Sequence, residues 1–186
     1  MFLDKVISVT LGAIFLLMLA CEDPAAERSE AVAETHTRTL LDDPVFWDYA
    51  ASSNLLQVQM AELAAKQGST EHIRNLAREA ADYHKQTLQQ LKALVKKQEH
   101  IKLPIGLEGA DKTLVQDFTL LEGEEFDLRY REFVLSTHNA QLNRYEEALT
   151  KADDQLTRDW IMDLRSHLRS KINLITQPDS VVMAAQ

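Results

Sequence analysis

A single cysteine, Cys21, serves the 186-residue chain, so neither an intrachain disulfide nor a cysteine-based zinc site can form. Glycine and proline are scarce, at five and four residues. A β-sandwich or barrel takes a turn roughly every 8–12 residues, so this shortage of turn formers excludes one. Basic charge is in deficit: 20 Lys and Arg stand against 29 Asp and Glu, a net −9. Nothing in such a chain tracks a phosphate backbone, and a nucleic-acid partner is excluded on that ground. The longest apolar run falls short of the ~20 residues a membrane-spanning helix needs. What remains is 45% apolar and 26% charged residues, the balance of an ordinary globular protein.

That run is Val6 to Ala20, 15 uncharged residues behind Lys5. Its length suits the core of a signal peptide. It ends Leu17-Met18-Leu19-Ala20-Cys21, a small residue directly before the only cysteine. This resembles the bacterial lipobox, with Met18 in place of the usual Leu. The resemblance implies cleavage after residue 20 and a lipid on Cys21. Residues 22–43 follow with seven acids and two bases, so over half of the net charge sits in a short polar tether. An acidic stretch behind the lipidated cysteine also resembles the surface-export signal of some Gram-negative lipoproteins.

From residue 43 the pattern is helical. Asp43-Pro44 pairs an N-cap acid with proline at the first helical position. Helix one is expected to run to Gln67, with Gly68 in the left-handed C-terminal position. Ser69 or Thr70 caps helix two, whose stripe is Ile73, Ala77, Ala80, His84, Leu88, Leu91 and Val95. Pro104 and Gly106 break the pattern, and 111–121 reads as a short amphipathic helix. Helix three follows Gly123 to about Ala152, with Phe126, Tyr130, Val134, His138, Leu142, Tyr145 and Leu149 on one face. Asp153 or Asp154 caps helix four, which ends near Gln177-Pro178 and carries Trp160, Leu164, His167, Leu168, Lys171 and Ile175. Long helices with one connection of about 26 residues predict an all-α, ferritin-like four-helix bundle, with a short extra helix in the crossover between helices two and three. The expected organisation is a signal peptide at 1–20, a tether at 21–43, the bundle at 44–177 and a tail at 178–186.

Three histidines fall at one expected height. His84 lies 14 residues after Thr70 and 14 before Gln98; His138 lies 14 after Glu124 and 14 before Ala152. The last turn pairs position 138 with about 168, beside His167. The same reckoning brings Ser53 and Asn54 of helix one to this level, with Gln57 one turn away. Asp127 and Arg131 share the line of His138, and Asp163 lies four residues before His167, where a hydrogen bond would fix its tautomer. Two readings of His84, His138 and His167 stand. In one they form a buried polar layer satisfied by Asn54, Gln57, Tyr and Asp partners, which sets the register of the helices. In the other, three neutral imidazoles and a water hold a transition metal, Zn²⁺ or Cu²⁺, with Asp127 or Asp163 as orienters. A di-iron centre of the ferritin type needs Glu three residues before His on two helices. Those positions hold Ala33, Ser69, Ala81, Lys97, Leu135 and Leu164, none of them acidic. No Gly-x-Ser-x-Gly nucleophile elbow occurs either. His36, His72 and His100 read as solvated.

Phe46 to Ile175 resembles the bacterial domain-of-unknown-function family 4142. The residues that carry this are Ala50-Ala51, Leu63-Ala64, Asp82-Tyr83-His84-Lys85, Phe126-Asp127, Tyr130, His138, Tyr145-Glu146 and His167. The resemblance implies a ferritin-like helical bundle in the periplasm or at the outer membrane, and no defined activity. Where the family commonly shows paired Gly and Glu-x-Glu on helix one, this chain has Ser53-Asn54 and Gln57-Val58-Gln59; where it shows Asp-Asp-His, this chain has Asp82-Tyr83-His84. These departures weigh against a hard-metal site. The expectation is a binding or structural module of the cell envelope, not an enzyme, held to the membrane by an N-terminal lipid and open to an envelope protein partner. The outer membrane is the favoured location.

Overall fold

The computed structural model describes residues 39–176, and among them the chain is all-helical, with no strand. The signal peptide, Cys21, most of the tether, His36 and the tail at 178–186 lie outside the described residues. A 3-10 turn, Leu40–Asp42, leads into α1 (Pro44–Gln67). There follow α2 (Glu71–Leu94), the short α3 (Gly109–Phe118), α4 (Gly123–Leu149) and α5 (Gln155–Thr176). Helices α1 and α2 pack extensively as a hairpin, as do α4 and α5; α1 also meets α4 and α3, and α2 meets α5 more sparingly.

The helix starts follow from their caps. The Asp43 carboxylate accepts from the Val45 and Phe46 amides at 3.1 and 3.2 Å, with Pro44 completing the start. Thr70 Oγ1 accepts from Ile73 N at 3.2 Å, and Asp154 Oδ1 from Thr157 N at 2.8 Å. Gly109 and Gly123 open α3 and α4 at φ +52° and +61°, a backbone region that other residues enter at a cost. The short helix consequently starts and ends slightly earlier than the expected 111–121.

Two expectations are corrected. Gly68 is not left-handed: its φ is −53° and ψ 133°. Glycine is required there by space, because a Cβ would lie 2.8 Å from the Ala64 carbonyl oxygen and 2.8 Å from Ile73 Cγ2. The folded part also begins before residue 44. Leu40 is buried, its N–H donates to Lys151 O at 3.1 Å, and its carbonyl accepts from Trp47 Nε1 at 2.9 Å. The polar count of 22–43 hid two apolar residues at its end, Leu40 and Leu41.

The core lies in two apolar clusters. One gathers Leu40, Phe46, Trp47, Leu91, Tyr145 and Trp160, with Trp47 tilted against Trp160 at 5.8 Å between ring centroids. The other holds Met60, Ile73, Phe118, Phe126, Tyr130 and Phe133. Along α2, α4 and α1 alike, buried polar residues fall between the clusters: His84, His138, Asn54 and Gln57. On α2 and α5 the buried face takes in Ala81 and Ile161 beside the expected stripe.

Gly68→Ala is expected to lower the unfolding free energy by about 1–3 kcal/mol, since the added methyl meets backbone it cannot displace. Gly106→Ala, with nothing within 4 Å of its Cβ, is expected to be nearly neutral. Urea denaturation of both variants reads the difference.

Candidate functional site: a histidine layer between two apolar clusters

Helices α1, α2, α4 and α5 each send one or two polar side chains into the space between the clusters. His84 and His138 are buried, with ring centroids 5.8 Å apart at 72°. His167 is partly buried, 6.5 Å from His84. Four helices thus meet at one level through residues far apart in sequence.

The hydrogen bonds define the protonation of each ring. Asn54 Nδ2 donates to the Ala50 carbonyl at 2.7 Å and to Tyr145 Oη at 3.4 Å, which leaves Oδ1 to accept. His84 Nδ1 lies 2.8 Å from that oxygen, so His84 carries its proton on Nδ1. Its Nε2 is then a bare lone pair, buried and without a hydrogen-bond partner. Gln57 Nε2 donates to Thr137 Oγ1 at 2.7 Å and to His138 Nδ1 at 3.2 Å. His138 therefore accepts at Nδ1 and carries its proton on Nε2. The two buried rings are opposite tautomers, each selected by an amide on α1. His167 is held differently, stacked face to face on Tyr83 with centroids 3.3 Å apart at 6°.

Burial holds all three imidazoles neutral. It pushes His84 well below the usual histidine value, and charge on His138 or His167 would add to the effect. Burial, then the charges of His167 and Lys171, lowers His138 to about 3. Burial and Lys171 lower His167 to about 4. Tyr83 rises to about 12, chiefly through burial and further through the nearby Asp163 carboxylate.

Neither of the two carboxylates expected as orienters hydrogen-bonds a histidine. Asp127 sits 11 residues before His138, about 16 Å along the helix at 1.5 Å per residue, so sharing a line does not mean sharing a level. Its carboxylate accepts instead from Ser69 N at 2.9 Å, Ser69 Oγ at 2.6 Å and Thr70 Oγ1 at 3.3 Å, tying α4 to the α1–α2 turn. Asp163 is exposed and makes no hydrogen bond to His167, whose ring is turned onto Tyr83. Among the described residues no group of three or more His, Cys, Asp and Glu side chains is arranged to hold a metal ion. His72 and His100 are exposed, with His100 Nε2 3.9 Å from Asp42. Sequence reasoning did not name Tyr83 as the ring under His167, Thr137 as the acceptor for Gln57, or Tyr145 as an acceptor for Asn54. Tyr145 shared the face of His138 in sequence, but it lies about 10 Å further along α4, in the first cluster, and only its hydroxyl meets the layer.

The family described as "Domain of unknown function (DUF4142)" has a model that matches residues 26–177. That is most of the chain, and the chain belongs to this family. Comparison with curated proteins and with solved structures gives no match.

Two outcomes follow from the layer. The histidines are neutral when folded and titrate near 6.5 when unfolded, so unfolding takes up protons below pH 6.5. Stability is therefore full above that pH and falls as pH drops towards 4, by about 1.4 kcal/mol per pH unit for each proton taken up. Urea titrations at stepped pH should show this slope between pH 6.5 and 5, before carboxylates contribute; a flat profile there would refute neutral burial. Asn54→Leu removes the acceptor for His84 Nδ1–H while keeping the volume filled. It is expected to cost about 1–3 kcal/mol in urea denaturation, more than a surface Asn, because a buried donor is left unpaired.

Proposed function

We propose that this chain is a lipid-anchored protein of the cell envelope whose helices form a ferritin-like four-helix bundle acting as a binding or structural module rather than an enzyme. Support for the bundle comes from the α1–α2 and α4–α5 hairpins, the further contacts of α1 with α4 and of α2 with α5, and the single long crossover carrying α3. Support for the anchor comes from the apolar run that ends at Cys21. The observation that carries the non-catalytic reading is the closure of the layer. His84 and His138 are each committed through Nδ1 to an α1 amide, and His167 to the face of Tyr83. Depressed to about 3 and about 4, His138 and His167 are far from the working range of a general base at neutral pH.

One observation favours a second reading, metal binding at His84, His138 and His167. His84 Nε2 is a buried lone pair with no partner, and its Nδ1–H donates to a carbonyl oxygen, the pattern that orients a histidine ligand. For His138 to join through Nε2, the Gln57 amide must turn over so that its oxygen accepts from Nδ1–H.

Two measurements test these readings. Cys21→Ala in cells is expected to move the chain from the membrane to the soluble fraction; a variant that stayed membrane-bound with its N-terminus intact would refute the anchor. Full chain exposed to Zn²⁺ or Cu²⁺ and then desalted is expected to retain less than about 0.2 metal per chain, whereas a three-histidine site would hold metal tightly. Stoichiometric metal lost in His138→Ala would overturn the structural reading.

A further inference from the structure

Helices α2 and α5 meet in the half of the domain that holds Tyr83 and His167, where the two rings stack and Lys171 Nζ reaches Glu79 at 3.1 Å. Beyond the Tyr83–His167 stack they part. The gap is a groove of about 620 Å³ running from Gln90 and Asp163 to Lys96, Lys97 and Asp154. That volume is in the range of small-molecule sites, and the stretch from 154 to 163 gives a length of about 14 Å at 1.5 Å per residue. Its walls are apolar, made by Leu41, Ala93, Leu94, Leu156 and Trp160, and Leu156 stands 73% exposed there.

The polar groups are unevenly placed. At one end Lys96 and Lys97 are exposed, and among the described residues neither has an ion-pair partner. The same end holds the start of α5, where the Thr157 amide is already capped by Asp154 Oδ1 at 2.8 Å. Thr157 is fully buried with Oγ1 unpartnered, and Asp154 Oδ2 is buried and unpartnered. Trp160 Nε1, in the apolar wall, is a further buried donor without a partner. The other end is acidic, at Asp163.

We infer that this groove binds a single-chain anionic amphiphile, its alkyl chain along Leu94, Leu156 and Trp160 and its anionic head between Lys96, Lys97 and Thr157 Oγ1. The two unpaired cations select the charge of the head, the apolar walls select the chain, and Asp163 disfavours the reverse orientation. Asp154 opposes the head through its unpartnered oxygen, which makes it a sensitive probe. Asn caps a helix as well as Asp, so Asp154→Asn removes the charge and keeps the cap. This site is separate from the histidine layer and does not rest on its role.

The test is titration of the full chain in lipid nanodiscs with octanoate and with octylammonium, against empty nanodiscs, followed by tryptophan fluorescence, to which Trp160 in the groove wall and its neighbour Trp47 contribute. Octanoate is expected to saturate at one per chain, with octylammonium giving no saturable change. Lys96→Gln with Lys97→Gln should weaken octanoate about tenfold, and Asp154→Asn should tighten it severalfold. Leu156→Glu, at an exposed position where folding is little affected, should abolish it. Equal response to both head groups, or affinity indifferent to Lys96, Lys97 and Asp154, would overturn the proposal. So would a concentration-dependent dimer that Leu156→Glu dissolves, which would assign the groove to a second copy of the chain.

Discussion

The hydrogen bond from His84 Nδ1 to Asn54 Oδ1, with its counterpart from Gln57 to His138, is the constraint around which the domain is arranged. It lies where the apolar packing is interrupted. On either side are clusters that sliding helices could satisfy in more than one way, since Leu, Ala and Phe stripes tolerate shifts of a turn. A buried amide facing a buried imidazole does not tolerate them, because each displaced partner leaves a desolvated polar atom behind. The α1 amides thereby fix the register of α1 against α2 and α4, and the Tyr83–His167 stack fixes α2 against α5. Asp127 adds a second tie at the domain's end, pinning the α1–α2 turn to α4.

Opposite tautomers in adjacent rings give the layer its electrostatic character. One ring presents a bare Nε2 and the other an N–H, and neither gains from a proton, because burial excludes water and protonating a neighbouring ring as well would set two charges within 6.5 Å. Such a layer loses stability as the pH falls below about 6.5, where the unfolded chain takes up protons that the folded one does not.

Much of this was legible in the sequence. Asp43, the pair Ser69/Thr70 and the pair Asp153/Asp154 bracketed three helix starts, with Thr70 and Asp154 the caps in the structure, and the midpoint positions of His84 and His138 placed two rings at one height. Asn54 and Gln57 were reached by the same count. Four features were not legible. Gly68 looked like an αL terminator because glycine after a helix usually is one, whereas here the close approach of Ala64 and Ile73 decides. Asp127 looked like a partner of His138 because periodicity reports the face of a helix and not the height along it. Tyr83 looked like a departure from a family pattern, while its ring is the surface on which His167 rests. The groove between α2 and α5 was invisible for a further reason: it depends on where two helices part, which no single helix's pattern records.

The central claim is that the histidines are neutral, hydrogen-bonded structural groups with assigned tautomers. The most direct measurement is long-range ¹H–¹⁵N correlation of the histidine side chains in the full chain at about pH 6, where a solvated imidazole is largely protonated. The account predicts His84 as the neutral Nδ1–H form and His138 as the neutral Nε2–H form, both unchanged on adding a metal chelator. Imidazolium signals from either ring, or spectra that shift when the chelator is added, would contradict it.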